Sequence, residues 1–220
     1  ALFKAKAHQK ARLGVDFTEA SKAVTSVGEV RVEQSVAFVG GAIWDCSRLL
    51  CDVLRVPATW RVLELGCGTG VLGIACRLRG ASVISTDGSE EALALARRNA
   101  RQNNCDLDLR RLRWGIDHLD DDEEKTFDLI VGSDCLYDDD AIPALLKTIV
   151  AMANPATVVV LAYKRRLDDR EAPFFDDLTN YFESVAFTDP NDLPDKWQTS
   201  GIYLCRIAKK KITGRTSRTS

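Results

Sequence analysis

The stretch Val62–Gly70, VLELGCGTG, decides the fold. It opens as the end of an apolar strand, RVLELG, and passes through Gly66, Gly68 and Gly70 straight into VLGIACRL, an apolar run that Gly80 closes as a helix. In a doubly wound α/β sheet the first strand-to-helix turn is where a ligand lies, because glycines admit it close to the backbone and helix-end amides face it. The spacing narrows the ligand. A dinucleotide-binding turn carries its third glycine at the last position of G-x-G-x-x-G; that position here is Val71, and Gly70 comes one residue early.

Working outward, strand and helix patterns alternate. ASVISTD reads as a second strand ending in Asp87, and SEEALALARRNARQN as a helix with Ser89 as its cap. Glu90 and Glu91 suit the positive first turn of that helix, and Ala92, Leu95, Ala96 and Asn99 share a face. The strand LDLRRLRW follows, then the acidic loop DHLDDDEEK, the strand FDLIVGSD, the helix AIPALLKTIVAMA and the strand TVVVLAYK. APFFDDLTNYF is a further helix, and SVAFTD and GIYLCRIA are the last strands. Strands separated by helices predict a parallel sheet covered on both faces. PNDLPDKWQTS is too short for a helical return, so the final strand is expected to run antiparallel. Upstream, EVRVEQ alternates as a short strand, and AIWDCSRLLCDVLRV has helical spacing until Pro57 stops it. Residues 1–28 read as a basic arm rather than a transit peptide, 29–208 as one domain and 209–220 as a flexible basic tail.

The composition excludes several classes of function. With 220 residues there is room for one well-buried domain. A net charge of -2 argues against wholesale nucleic-acid binding, and no apolar run approaches the roughly 18 residues of a membrane span. Seven cysteines, an odd number with no C-x-x-C pair, read as reduced buried hydrophobes of a cytoplasmic protein. Only His8 and His118 are present, so neither a zinc site nor a histidine-dependent triad is expected.

Asp87 lies 19 residues beyond Gly68, where an acid can accept hydrogen bonds from both hydroxyls of a ribose. Alone it could merely cap the next helix; joined to the glycine turn it favours a nucleoside. The missing dinucleotide glycine turns attention to S-adenosyl-L-methionine.

At this point the sequence resembles a known family. ELGCGTG followed by TDG is similar to the first two motifs of the Rossmann-like, seven-strand class I methyltransferases. GGAIWDCSRLL, LRWG at 112–115, and FDLIVGSDCLYDDDAIPALLKTI, with its D-x-x-Y motif, resemble segments of the methyltransferase-like 21 group (family 16) of protein lysine methyltransferases. GIYLCRIAKKK is similar to the ending of the group's valosin-type branch, whereas GSEEAL after Asp87 is closer to the calmodulin-type branch. The resemblance implies an α/β sheet of order 3-2-1-4-5-7-6 with the last strand antiparallel. It further implies that Trp44 and the turn Gly66, Cys67 and Gly68 contact the methionine end and sugar of the cofactor, and that Glu64 orients its amino group. Asp87 would hold the ribose, Trp114 would stack near the adenine, and Ser133 would line the pocket.

In SDCLYDDD, Ser133–Asp140, the resemblance makes Asp134 and Tyr137 the catalytic pair, one aiming an incoming amine and the other walling its channel. The plainer alternative is a loop cap and a residue packed on the sheet edge. Asp138, Asp139 and Asp140 read as a solvated helix start. The expected function is S-adenosylmethionine-dependent N-methylation of a lysine on a folded protein partner (a chaperone, ATPase or translation factor) by a cytoplasmic monomer. A small-molecule methyltransferase with the same cofactor site, and a non-catalytic binding protein of this fold, are the alternatives.

Overall fold

The computed structural model describes residues 23–119, 126–165 and 171–211. The chain opens with a hairpin of β1 (Ala23–Val27) and β2 (Val30–Gln34), an antiparallel pair separate from the main sheet. Then come α1 (Asp45–Val53), β3 (Arg61–Leu65), α2 (Val71–Leu78), β4 (Ser82–Asp87), α3 (Glu90–Gln102), β5 (Asp108–Arg111) and β6 (Leu129–Ser133). The chain continues through α4 (Ile142–Met152), β7 (Val158–Lys164), α5 (Ala172–Tyr181), β8 (Phe182–Phe187), a 3-10 turn, the short α6 (Asp195–Gln198) and β9 (Ile202–Lys210).

The seven-stranded sheet has the order β5-β4-β3-β6-β7-β9-β8. Numbered from β3 as its first strand, this is 3-2-1-4-5-7-6, as the resemblance implied. Five strands are parallel neighbours, and β9 runs antiparallel to both β7 and β8. Alternation along the central strands divides the core into two layers. Val62, Leu129 and Val131 pack toward α1 and α2, and Leu63, Leu65 and Ile130 pack toward α4 and α5. All seven cysteines are free and buried within this packing.

The hairpin is held by two asparagines one turn apart, Asn99 on α3 and Asn103 at its C-cap. Asn99 Oδ1 accepts from the Glu33 N–H at 2.7 Å, and its Nδ2 donates to the Glu33 carbonyl at 3.0 Å. Asn103 repeats the pattern on Arg31, at 2.9 and 2.7 Å. Each side-chain amide therefore imitates a neighbouring strand along the edge of β2. Asn99 is fully buried, and its Nδ2 also donates to the Thr69 carbonyl at 2.9 Å, joining the hairpin to the glycine turn.

The sequence boundaries need correction at both ends. Strand β1 lies inside the span expected to be an arm, and Lys209 and Lys210 belong to β9 rather than to a tail. Residues 1–22, residues 120–125 of the acidic loop and residues 212–220 lie outside the described residues. Helix α1 starts at Asp45, with Trp44 as its N-cap residue.

Candidate active site

The carboxyl ends of β3, β4 and β6 are neighbours in the sheet and converge on the glycine turn. Gly66 and Gly68 have φ of +70° and +52°, a left-handed conformation that side chains resist. Close approach reinforces the requirement. A Cβ on Gly68 would stand 2.7 Å from the Gly40 carbonyl oxygen, and one on Gly66 would stand 3.2 Å from the Trp114 ring and 3.3 Å from Cys135 Sγ. The turn is thus walled by the Gly40–Gly41 loop on one side and by Trp114 and Cys135 on another.

Asp87 ends β4 beside this turn. Its Oδ2 accepts from the Gly68 N–H at 3.0 Å and its Oδ1 from the Ser89 N–H at 2.9 Å. A carboxylate oxygen has lone pairs beyond one such bond, so both oxygens can still accept from a ligand hydroxyl. Burial pushes the Asp87 carboxyl above its ordinary value, against the opposing pull of the Ser89, Gly68 and Gly88 amides.

Trp44, half-buried, follows the Gly40–Gly41 loop, and its carbonyl accepts from Ser47. Gln34 Oε1 accepts from the Ile43 N–H at 2.9 Å, which ties this entry segment to the hairpin. Trp114, also half-buried, packs beside α4, where the next residue, Gly115, donates its N–H to Thr148 Oγ1 at 2.9 Å. Ser133 closes β6.

Asp134 is half-buried with φ +52°, a conformation uncommon for residues with a side chain but several-fold enriched in aspartate. Its N–H donates to the Ala162 carbonyl at 2.8 Å. Tyr137 is 45% exposed. Partial burial, then Cys135 and the Asp87, Asp138 and Asp134 carboxylates, push its hydroxyl up to about 12. Asp87, Asp134 and Tyr137 therefore share one electrostatic neighbourhood.

Two residues expected at the cofactor lie deeper. Glu64 is 2% exposed, and its Oε2 accepts from Ser85 Oγ at 2.5 Å beneath the turn. Burial pushes its carboxyl up to about 7, opposed by bonds from Ser85 and the Gly73 amide. Cys67 packs on Leu93 and Ala96 of α3, which leaves its main chain as the part nearest the turn. Gly40, Asn99 and Cys135 were not expected at the site from the sequence. Cys135 Sγ bonds the Leu65 carbonyl at 3.3 Å and pins the end of β6 to that of β3. The GG pair before Trp44 was the one visible signal for the Gly40 loop.

A family model for lysine methyltransferases matches residues 29–181. The chain belongs to that family. Among its relatives, "Protein N-lysine methyltransferase METTL21A" of Danio rerio is 32% identical over 79% of this chain and 79% of its own length. "EEF1A lysine methyltransferase 3" of Xenopus tropicalis is 30% identical, covering 76% of this chain and 79% of its own. The fold is also that of a TehB-like methyltransferase from Corynebacterium glutamicum, at TM-score 0.56 and 19% identity, with 78% of this chain and 90% of that chain covered. The lysine methyltransferase family uses S-adenosylmethionine, and the residues described here fit it. Asp87, at the glycine turn, keeps both carboxylate oxygens able to accept from ligand hydroxyls.

Proposed function

We propose that this lysine methyltransferase acts in the cytoplasm, as a monomer, on a folded protein such as a chaperone, an ATPase or a translation factor. The likeness to the Xenopus tropicalis relative, an EEF1A lysine methyltransferase, supports a protein substrate. The observation that carries the reading is that Asp87 ends β4 and Asp134 and Tyr137 follow the end of β6, so all three lie at the same end of the parallel sheet. Gly66, Gly68, Asp87, Trp44, Trp114 and Ser133 would hold S-adenosylmethionine, with Glu64 and Cys67 supporting the turn from beneath. When bound, the cofactor supplies an activated methyl group.

The chain's own residues then have to present a neutral amine. A free lysine amine has a pKa of about 10.4, so holding it neutral at pH 7 costs about 4.6 kcal/mol. Partial desolvation in a channel lowers that cost by disfavouring the ammonium. Tyr137 gives the channel an aromatic wall, whose face also attracts methylated ammonium groups. Asp134 accepts a hydrogen bond from the amine and aims it, and orientation supplies much of the remaining acceleration.

The test is label transfer from methyl-labelled S-adenosylmethionine to a cell lysate. Discrete labelled proteins that release methyl-lysine on hydrolysis are expected; label confined to small metabolites overturns the reading. Asp134→Asn keeps a residue that accepts the left-handed backbone. It replaces the carboxylate by a weaker neutral acceptor and should lower transfer about 100-fold while cofactor affinity stays within a few-fold; parental activity in this variant would remove the carboxylate's charge from the chemistry.

A further inference from the structure

The Trp114 ring stands against the glycine turn, where a Cβ on Gly66 would meet it at 3.2 and 3.6 Å. An indole can wall a ligand site only if the loop that carries it is held. That loop, Leu112–Asp117, leaves the sheet after β5. At its start the Leu112 N–H donates to the Asp87 carbonyl at 3.0 Å, one residue beyond the last strand pair. Asp117 then closes the loop on itself. Its Oδ2 accepts from the Arg113 N–H at 2.8 Å, and its own N–H donates to the Arg113 carbonyl at 3.0 Å. These contacts fix where the loop begins and how it turns, but not what its tip rests on.

The tip rests on α4. Gly115 donates its N–H to Thr148 Oγ1 at 2.9 Å, and the same hydroxyl donates to the Ala144 carbonyl at 3.0 Å. The single hydroxyl proton is thus committed to the helix, and a lone pair is left for the loop. Contact is close as well: Gly115 has φ +71°, and a Cβ there would stand 3.1 Å from Ala144 Cβ. Ala144 is the floor of this seat and Thr148 supplies its bond. The remaining buried residues of α4 are Leu145, Ile149 and Met152, and Thr148 is 4% exposed among them. A hydroxyl on that face adds nothing to apolar packing, and its bond back to its own helix stabilises the helix little. The bond to Gly115 gives it a use. Helix α4 also starts beside the mouth, where the Asp138 carbonyl accepts from the Ala141 and Ile142 N–H groups.

We infer that Thr148 is a positioning residue for the cofactor, acting through Gly115 to hold Trp114 against the glycine turn. The inference rests on the reading of Trp114 as a wall of the S-adenosylmethionine site and adds what keeps that wall in place.

The test is calorimetric titration of the full chain and its variants with S-adenosylmethionine, with urea unfolding to confirm that each variant is folded. Thr148→Val keeps the shape and removes the acceptor, and should weaken binding about fivefold. Thr148→Ser restores the acceptor and should bind within about twofold of the parent. Trp114→Ala, which removes the wall itself, should weaken binding at least as much as Thr148→Val. The deciding comparison is the double variant. With Trp114 already replaced, Thr148→Val should have no further effect on affinity, whereas a residue that matters only for stability would not depend on Trp114 in this way. Gly115→Ala strikes the same seat from the exposed side of the loop, so it remains informative if Thr148→Val folds poorly. It should weaken binding about fivefold or more, again only while Trp114 is present. Parental affinity in both Thr148→Val and Gly115→Ala, with Trp114→Ala weakened, overturns the positioning role and leaves Trp114 at the cofactor. Parental affinity in Trp114→Ala removes Trp114 from the cofactor site and the inference with it. An equal loss from Thr148→Val with and without Trp114 also overturns the inference, as does a serine variant no tighter than the valine one.

Discussion

Replacing Asn99 by alanine should be among the most damaging single changes in the molecule, although its hydrogen bonds go to the hairpin and to Thr69 rather than to Asp87, Asp134 or Tyr137. Its side chain bonds three main-chain groups: the Glu33 N–H at 2.7 Å, the Glu33 carbonyl at 3.0 Å and the Thr69 carbonyl at 2.9 Å. Each buried group left without a partner costs about 1–3 kcal/mol. Three groups at the lower end of that range give about 3 kcal/mol, and nearby water or relaxation keeps the loss from reaching the upper end. Small domains have only about 5–15 kcal/mol of stability, so the loss is a large fraction of the total. Asn103 is the internal control. It makes the same paired bonds to Arg31, but where solvent can take over, so Asn103→Ala should cost about 1 kcal/mol. Urea unfolding of both variants checks the difference, and calorimetric titration of S-adenosylmethionine checks the second consequence. Because Thr69 lies in the glycine turn, Asn99→Ala should weaken cofactor binding and Asn103→Ala should not. If Asn99→Ala unfolds no more easily than Asn103→Ala, the coupling between hairpin and turn described above is wrong.

Three further outcomes are expected. The Glu64 carboxyl is raised from 4.5 to about 7 in the folded chain, so between those values the folded state holds a proton that the unfolded state has lost. Stability should therefore fall as pH rises through that window, by about 3 kcal/mol from this group, and Glu64→Gln should remove that component of the slope in urea midpoints measured at pH 5 and 8. Gly68→Ala forces a Cβ to 2.7 Å from the Gly40 carbonyl at φ +52°; cofactor affinity by calorimetry should drop at least about tenfold, and retention of full affinity would remove the close approach as a requirement. Asp87→Ala should weaken cofactor binding by a similar factor, because it removes the proposed acceptor of the ribose hydroxyls together with the bonds that order Gly68 and Ser89.

The parts of the candidate site that are legible in the sequence are those at strand ends. In VLELGCGTG, VISTDG and LIVGSDCLY an apolar run stops and turn or acidic residues begin, so Gly66, Gly68, Asp87 and Asp134 stand out without knowledge of any distant contact. The central sheet was legible for the same reason, and the reversal of β9 followed from the length of its connection. Glu64 was harder. Alternation says that Glu64 and Leu65 face opposite sides of β3, but not that the Glu64 side is filled by Ser85 and α2. Strand β1, AVTSV, has too few apolar residues to stand out and is recognisable only through its pairing with β2. Asn99 was visible as part of one helix face, yet its partners lie 66 residues upstream and in the glycine turn, and no local pattern carries that information.

The seven buried cysteines have a practical meaning. Desolvation pushes the Cys51, Cys76 and Cys205 thiols up to about 12, and Cys67, Cys105 and Cys135 are raised as well. The thiolate is the reactive form, so these groups should be slow toward alkylating reagents and mild oxidants while the chain stays folded. The native protein thus offers a nearly silent background for chemistry at sulfur. A single cysteine placed at the exposed Ile116, two residues beyond Trp114, would take a fluorophore selectively and report on the neighbourhood of Trp114 as ligands arrive.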